Sequence, residues 1–180
     1  MRAVVQLGPR CGCTRVGVES LFVTIKPVTH EQGVFTPLSK FQQLAALAKR
    51  QTAIRISALQ KTPTNQVIHS LGLFPTGLAR WINASDFDIV NLHWVCAEAL
   101  SIGEIARIKK PIVWTMHDMW SFMGAEHYDD LEHPGRWKAP YTVTNRPPNY
   151  SGPDLDARVW ARKASAWAGK AFNLVAPLAR

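Results

Sequence analysis

The sequence predicts a single α/β domain built on a doubly wound, mostly parallel sheet. Between Asp88 and His117 a short apolar run, a capped helical segment and a second apolar run follow one another, which is the pattern of a βαβ unit. The chain has 180 residues, which is enough for one well-buried domain and short for two. We expect residues 17–180 to form this domain, whereas residues 1–16 carry little pattern.

The first half of the chain predicts one strand and two helices. Residues 19–26 (ESLFVTIK) are rich in β-branched and aromatic side chains and stop at a proline, which is typical of a strand. A shorter helix is predicted over residues 75–83, with a proline in its first turn. Residues 39–61 have the apolar spacing of an amphipathic helix, broken near residues 50–51, and its apolar positions are Phe41, Leu44, Leu47, Ile54 and Leu59.

The second half predicts three strands and two helices. Residues 88–94 (DIVNLHW) and 111–117 (PIVWTMH) are short apolar runs, as expected for strands buried on both faces of a parallel sheet. Between them Ser101 and Glu104 have the spacing of a capping box, which predicts a helix running to about residue 109. Helical spacing returns over residues 154–168, and residues 171–176 (AFNLVA) are a further strand candidate.

Composition narrows the class of protein and its compartment. The chain carries 21 basic and 13 acidic residues, a net charge of +8, which favours anionic partners such as nucleotide diphosphates or anionic lipid surfaces. Its three cysteines do not make a disulfide framework, and no signal peptide is recognisable, so we expect a reducing cytoplasm. No apolar stretch approaches the roughly 20 residues that span a bilayer. We therefore expect a soluble protein, peripheral to a membrane at most.

Each of the two apolar runs has a histidine at its carboxyl end. His93 lies at the end of residues 88–94, just before Trp94, and His117 ends residues 111–117, just before Asp118. In open α/β sheets, ligands bind in the crevice beyond the carboxyl ends of the strands. An imidazole suits that position because it can donate or accept a hydrogen bond with a sugar hydroxyl or a phosphate oxygen near neutral pH. The two histidines therefore predict a ligand site at this edge.

Residues 118–152 form a long polar segment with several prolines, which predicts a binding loop or lid. Within it His127, Asp129 and Asp130, together with His117 and Asp118, are an alternative divalent-metal set for a hydrolase. Their spacing matches no metal motif, so a polar sugar-binding or structural loop is the preferred interpretation. Aromatic and basic residues alternate over residues 137–150, but no RNA-binding signature accompanies them, and we expect no nucleic-acid partner.

Several of these segments together resemble one family. The runs DIVNLHW, KKPIVWTMHDMWSFMGAEHYDD, DLDARVWARKASAW and FNLVAP, with the capped helix between the first two, resemble bacterial glycosyltransferase family 4, of the kind that builds surface polysaccharides. The resemblance covers about residues 70–177. It implies a Rossmann-like domain, one half of the two-domain GT-B fold, and a hexosyltransferase that retains anomeric configuration. It also implies a nucleotide-diphospho-sugar donor, a glycan or lipid-linked acceptor, and neither a metal nor a cofactor.

The resemblance also assigns roles to individual residues. His117 matches a histidine beside the donor sugar, which implies that it orients a sugar hydroxyl and stabilises charge in the transition state. Asp118, Trp120, His127 and Tyr128 match the loop that follows and are expected to shape the acceptor side. With His93 and Trp94 from the neighbouring strand, they make up the expected substrate-binding set.

Two departures from the family qualify these expectations. The glycine-rich turn that approaches the donor phosphates is not reproduced in residues 1–16. The family's C-terminal domain, which grips the diphosphate and the donor sugar, has no counterpart in the sequence. We therefore expect residues 17–180 to be the acceptor-side domain of a transferase, inactive alone, and either truncated or completed by a separate C-terminal domain chain. The alternative is a non-catalytic sugar-binding module.

Overall fold

The structure, a computed structural model, describes residues 4–7, 20–25, 34–62 and 68–176. These residues form a mixed α/β fold with one six-stranded sheet in which every neighbouring pair of strands is parallel. The prediction of an α/β fold with a parallel sheet is therefore confirmed. None of the helices in these ranges is both long and apolar enough to cross a membrane.

The sheet has the strand order β3-β2-β1-β4-β5-β6. Four strands lie where the sequence predicts strands, but β1 and β3 were not predicted. β1 is short and falls in the segment that carries little pattern, and β3 has only two residues, so neither shows an alternation long enough to recognise. The strands are β1 (Val4–Leu7), β2 (Ser20–Val23), β3 (Val34–Phe35), β4 (Ile89–Leu92), β5 (Ile112–Thr115) and β6 (Asn173–Val175).

All four predicted helices are present. α1 starts after Ser39, which forms a capping box with Gln42, and it runs without the predicted break. The predicted capping box of Ser101 and Glu104 is also formed, and α3 ends earlier than predicted because Ile108 is already extended. The described helices are α1 (Lys40–Ser57), α2 (Leu78–Ala84), α3 (Ile102–Arg107) and α4 (Leu155–Ala166), with a 3-10 turn at Arg136–Lys138.

The core lies where β4 and β5 meet α2, α3 and α4. Alternate residues of β4 and β5 are buried, and both strands contribute to one apolar cluster with the inner faces of the helices. Burial of this surface is the main favourable term in folding. The cluster's fully buried large side chains include Leu78, Ile82, Leu92, Ile102, Ile105, Ile112 and Trp120.

Four large apolar residues of α1 face solvent, whereas Ile56 packs against the core cluster. The spacing predicts an amphipathic helix, yet the residues buried on α1 are the small Ala46 and Ala53. The exposed large residues of α1 are Phe41, Leu44, Leu47 and Ile54, and Leu59 beyond its end is exposed too.

The long segment after β5 is held by buried polar contacts. Arg136 donates to both carboxylate oxygens of Asp154, and Tyr150 donates to Asp130 at 2.8 Å. The ammonium of Lys163 on α4 is buried and donates to the backbone carbonyls of Met123 and Gly124, at 3.2 and 2.6 Å, and to that of Trp120. These contacts attach the segment to α4 and fix the turn that follows His117.

Candidate functional site

His93 and His117 come together at the carboxyl edge of the sheet. β4 and β5 are parallel neighbours, so the residues that follow them emerge at the same edge. Nδ1 of His93 lies 2.9 Å from Nε2 of His117, and the two ring centroids are 5.1 Å apart. His93 is buried and His117 is exposed. At this edge the imidazole of His117 is therefore exposed to solvent, and the buried imidazole of His93 holds it in position.

The buried histidine favours its neutral form. Burial lowers the pKa of His93, and the nearby charge of His117 lowers it further. Two neutral rings in this contact can share one proton, so that one nitrogen donates and the other accepts. Nε2 of His93 is buried and has no hydrogen-bond partner among the described residues. Buried polar atoms are usually hydrogen-bonded, so this nitrogen can take a further partner.

A chain of side-chain hydrogen bonds lies next to this pair. Oδ2 of Asp118 is 2.6 Å from Nδ1 of His127, and Nε2 of His127 is 2.9 Å from the hydroxyl of Ser70. The carboxylate, imidazole and hydroxyl have the order of a nucleophile relay. However, Ser70 is buried and its hydroxyl accepts the backbone N–H of Ala97. The chain is therefore a buried support rather than an exposed nucleophile.

Trp94 forms an aromatic surface on top of this support. Its ring centroid is 5.9 Å from that of His127, and 37% of the residue is exposed. Burial alone raises the pKa of Asp118, but hydrogen bonds from His127, from the backbone N–H of Trp120 and from the side chain of Trp94 outweigh it and hold the pKa below its usual value. An ionised Asp118 thus fixes both His127 and the indole of Trp94, which is tilted by 42° against the His127 ring.

The structure divides the predicted substrate-binding residues into two groups. Trp94, His117 and Tyr128 are exposed and can meet a ligand. His93 and Asp118 lie behind them and hold them in position. Trp120 and His127 are each only 1% exposed, and the Trp120 indole donates to the carbonyl of Ser70. Trp120 and His127 therefore lie behind the exposed side chains, and their predicted part in shaping the acceptor side stays a prediction.

Sequence reasoning did not find the turn that follows Trp94. Ala97 and Glu98 both have positive φ, 52° and 61°, which is uncommon for residues other than glycine. The side chain of Glu98 is buried and accepts the backbone N–H of Phe74 at 2.8 Å. Burial raises the pKa of this carboxyl. Strained backbone of this kind costs on the order of 1–3 kcal/mol per residue and concentrates at functional sites.

Cys96, Asp118 and His127 bring potential metal-ligand atoms within 4.8 Å of one another. This set shares Asp118 and His127 with the alternative metal set of the sequence, but it includes Cys96 and lacks His117, Asp129 and Asp130. Both ring nitrogens of His127 already have hydrogen-bond partners, and burial raises the pKa of the Cys96 thiol well above its usual value. To bind a metal ion, the cysteine must be a thiolate and the histidine must have a free lone pair on a ring nitrogen. These residues meet neither condition and so do not fit an ion as they stand.

A second buried cluster lies behind the loop, away from the histidine pair. Tyr141 donates its hydroxyl to Oε1 of Glu126, and Gln60 donates to Oδ2 of Asp156 at 2.6 Å. Burial, together with the charge of Asp156, raises the pKa of Glu126 to about 7. Burial also raises the pKa of Asp156. Oε2 of Glu126 is buried and accepts no hydrogen bond from the described residues, so a proton on this carboxyl group is favoured.

A hollow of about 680 Å³ lies between α2 and α3. Its lining includes Arg80, Arg107 and Lys109, and none of the residues of the histidine edge. It is therefore a separate feature from the candidate site.

Comparison of the chain with protein-family models, with curated proteins and with solved structures finds no match.

Proposed function

We propose that this chain is a Rossmann-like, acceptor-side domain of a retaining glycosyltransferase and that it binds a sugar at the His93–His117 edge. The observation that carries the proposal is the contact of the two imidazoles, 2.9 Å apart, at the carboxyl ends of β4 and β5. The resemblance of the surrounding sequence to glycosyltransferase family 4 supplies the reaction class and a nucleotide-diphospho-sugar as the donor.

The topology of the sheet supports this fold assignment. The order β3-β2-β1-β4-β5-β6 in a parallel sheet is that of doubly wound nucleotide-binding folds. In such sheets the ligand lies outside the carboxyl ends of the strands, at the point where the strand order reverses. Here that point lies between β1 and β4, and His93 is the first residue after β4. The histidine pair thus lies where the fold concentrates ligand contacts.

The side chains at this edge suit a sugar. His117 contacts His93 through its Nε2, which leaves its Nδ1 to donate to, or accept from, a hydroxyl of the ligand. The exposed indole of Trp94 offers an apolar face against which a sugar ring can lie. A polar group that fixes orientation beside an aromatic surface is typical of sites for small ligands. In the transfer reaction His117 would stabilise the positive charge that develops on the sugar ring.

Sugar binding and sugar transfer are separable properties of this site. Transfer requires stabilisation of the leaving diphosphate, and such preorganised electrostatic contacts are usually the largest catalytic term. In the family that the sequence resembles, a second domain makes these contacts. Binding is therefore the property that this chain can be tested for directly.

The test is isothermal titration of the purified chain with nucleotide-diphospho-sugars and with oligosaccharide acceptors. We expect measurable binding of at least one of them, and we expect His117→Ala to weaken it about tenfold or more, the value of one well-made hydrogen bond to a charged or polar ligand group. His133→Ala removes a partly exposed histidine of the loop and is the matched control, expected to bind as the parent does. Absence of binding to every sugar tested, or equal effects of the two variants, would overturn the proposal.

A further inference from the structure

The hollow between α2 and α3 has a surplus of positive charge. Arg80 of α2, Arg107 at the end of α3 and Lys109 just beyond it all line this space of about 680 Å³. All three are exposed, and none of them forms an ion pair with another of the described residues. Glu104 is the acidic residue that the described lining contains, and it is only 2% exposed. Three accessible cations thus stand against one buried carboxylate.

The carboxylate of Glu104 is already bound by backbone donors. Its Oε1 accepts the N–H of Gly77 at 2.7 Å, and its Oε2 accepts the N–H of Thr76 at 2.9 Å. Oε2 also accepts the N–H of Ser101 at 3.2 Å, which is part of the capping box. To pair with a basic side chain of the hollow, the carboxylate would have to give up these hydrogen bonds. The three cations therefore remain available to a ligand from solvent.

Asn83 of α2 holds the backbone from which two of these cations extend. Its Nδ2 donates to the carbonyl of Arg107 at 2.8 Å, and its Oδ1 accepts the N–H of Lys109 at 2.8 Å. Basic side chains near a helix end often bond to its last carbonyls, but here Asn83 takes the carbonyl of Arg107. Because the backbone on both sides of residue 108 is fixed to α2, less conformational freedom is lost when a ligand binds.

We infer that this hollow binds a small soluble compound with two neighbouring phosphate groups, and the inference does not rest on the function proposed above. Its volume lies within the range of roughly 300–1,000 Å³ that small-molecule sites have. Guanidinium groups bind phosphate oxygens through paired N–H donors, and three cations suit more than one phosphate. The lining also includes Pro75, Ala79 and Ala106, which can contact an uncharged part of the ligand. A concave space favours a compound that enters it over a flat lipid surface.

The test is isothermal titration of the full chain with inorganic pyrophosphate. We expect binding that weakens as salt is added. The double variant Arg80→Gln/Arg107→Gln should bind pyrophosphate about tenfold or more weakly, because it removes two charge-assisted contacts. The matched control Arg55→Gln/Arg158→Gln removes the same charge from exposed positions on α1 and α4 and should bind as the parent does. His117→Ala should also bind as the parent does, which separates the hollow from the histidine edge.

The side-chain amide resonances of Asn83 provide a second measurement, since this amide contacts the backbone of both Arg107 and Lys109. We expect them to shift as pyrophosphate is added to the parent, with the dissociation constant that the titration gives. Sedimentation with vesicles that contain phosphatidylglycerol tests the other source of phosphate groups. Absence of pyrophosphate binding, equal weakening in the two double variants, or binding of the vesicles without binding of pyrophosphate would overturn the inference.

Discussion

Buried His93 supports exposed His117 through a ring contact of 2.9 Å between residues that are 24 positions apart in the chain. Two adjacent parallel strands produce this contact, since each ends at the same edge and each is followed by a histidine after its last strand residues. Because His93 occupies one nitrogen of His117, the exposed ring has a fixed orientation and one nitrogen directed elsewhere. A sugar hydroxyl is the kind of group that this remaining nitrogen can orient.

Asp118→Asn should loosen the aromatic surface of the site. The carboxylate of Asp118 accepts from Nδ1 of His127 at 2.6 Å and from the backbone N–H of Trp120, and an amide nitrogen cannot replace an acceptor. We expect a loss of about 1–3 kcal/mol in the free energy of unfolding, as for other buried hydrogen bonds to a charged group. Urea unfolding measures the loss, and tryptophan fluorescence should report a changed environment of Trp94.

The control for this variant is Asp86→Asn, which changes an exposed aspartate before β4 in the same way. Its unfolding free energy should stay within about 0.5 kcal/mol of the parent. If Asp118→Asn were as stable as Asp86→Asn and its fluorescence unchanged, the support for Trp94 would not depend on the carboxylate.

Glu126→Gln should make the protein more stable at neutral and alkaline pH. The pKa of Glu126 is raised to about 7 in the folded state, so folding takes up a proton between the ordinary value of 4.5 and about 7. The contribution of Glu126 to stability is thus complete below about 4.5 and is lost as the pH rises through about 7. Glutamine keeps an oxygen for the Tyr141 hydroxyl but carries no charge to bury.

We expect Glu126→Gln to gain on the order of 1–3 kcal/mol over the parent at about pH 8 and little at about pH 5. Urea unfolding at the two pH values measures the difference. Glu132→Gln, at an exposed position of the same loop, should leave the pH dependence of the parent unchanged. A gain that was the same at both pH values would show that the carboxyl of Glu126 does not titrate in this range.

Gly124→Ala should destabilise the turn that follows the histidine edge. A β-carbon at residue 124 would lie 2.5 Å from the backbone oxygen of Asp156 and 2.6 Å from Oε2 of Glu126, distances that require the backbone of α4 to move. We expect a cost of about 1–3 kcal/mol, typical of overpacking in a well-packed interior. Thermal unfolding monitored by circular dichroism provides the measurement.

Gly103→Ala is the matched control because the nearest atoms to a β-carbon there belong to the flexible side chain of Arg107, at 3.8 Å or more. Gly103 lies within α3, where alanine is the better helix former, so this variant should be as stable as the parent or slightly more so. A Gly124→Ala protein that unfolds at the same temperature as Gly103→Ala would contradict the packing described for the turn.

The sequence predicts most of the elements because their signals are local. A few consecutive residues are enough to recognise the capping box of Ser101 and Glu104 and the apolar runs of β4 and β5. β1 and β3 are too short to show a period, and only pairing with their neighbours makes them strands. The exposure of Phe41, Leu44, Leu47 and Ile54 on α1 could not be predicted either, because periodicity does not give the direction in which the rest of the domain lies.

The candidate site was predicted in part. The positions of His93 and His117 could be predicted because parallel strands have their carboxyl ends at the same edge of the sheet, and the strands themselves are recognisable in the sequence. The support beneath Trp94 could not be predicted, because Ser70 is distant from Asp118 and His127 in the chain and meets them only in the folded state. The left-handed backbone at Ala97 and Glu98 has no signal in the sequence, since neither residue type favours it.

The most direct test of the account is an NMR titration that follows the imidazole nitrogens of His93 and His117 while sugar nucleotides and oligosaccharides are added. Because the two rings are in contact, a sugar bound at this edge should shift the ring resonances of both histidines together and leave those of His133 unchanged. Shifts confined to other parts of the protein, or none at His93 and His117 with any sugar, would contradict the assignment of this edge as a sugar site.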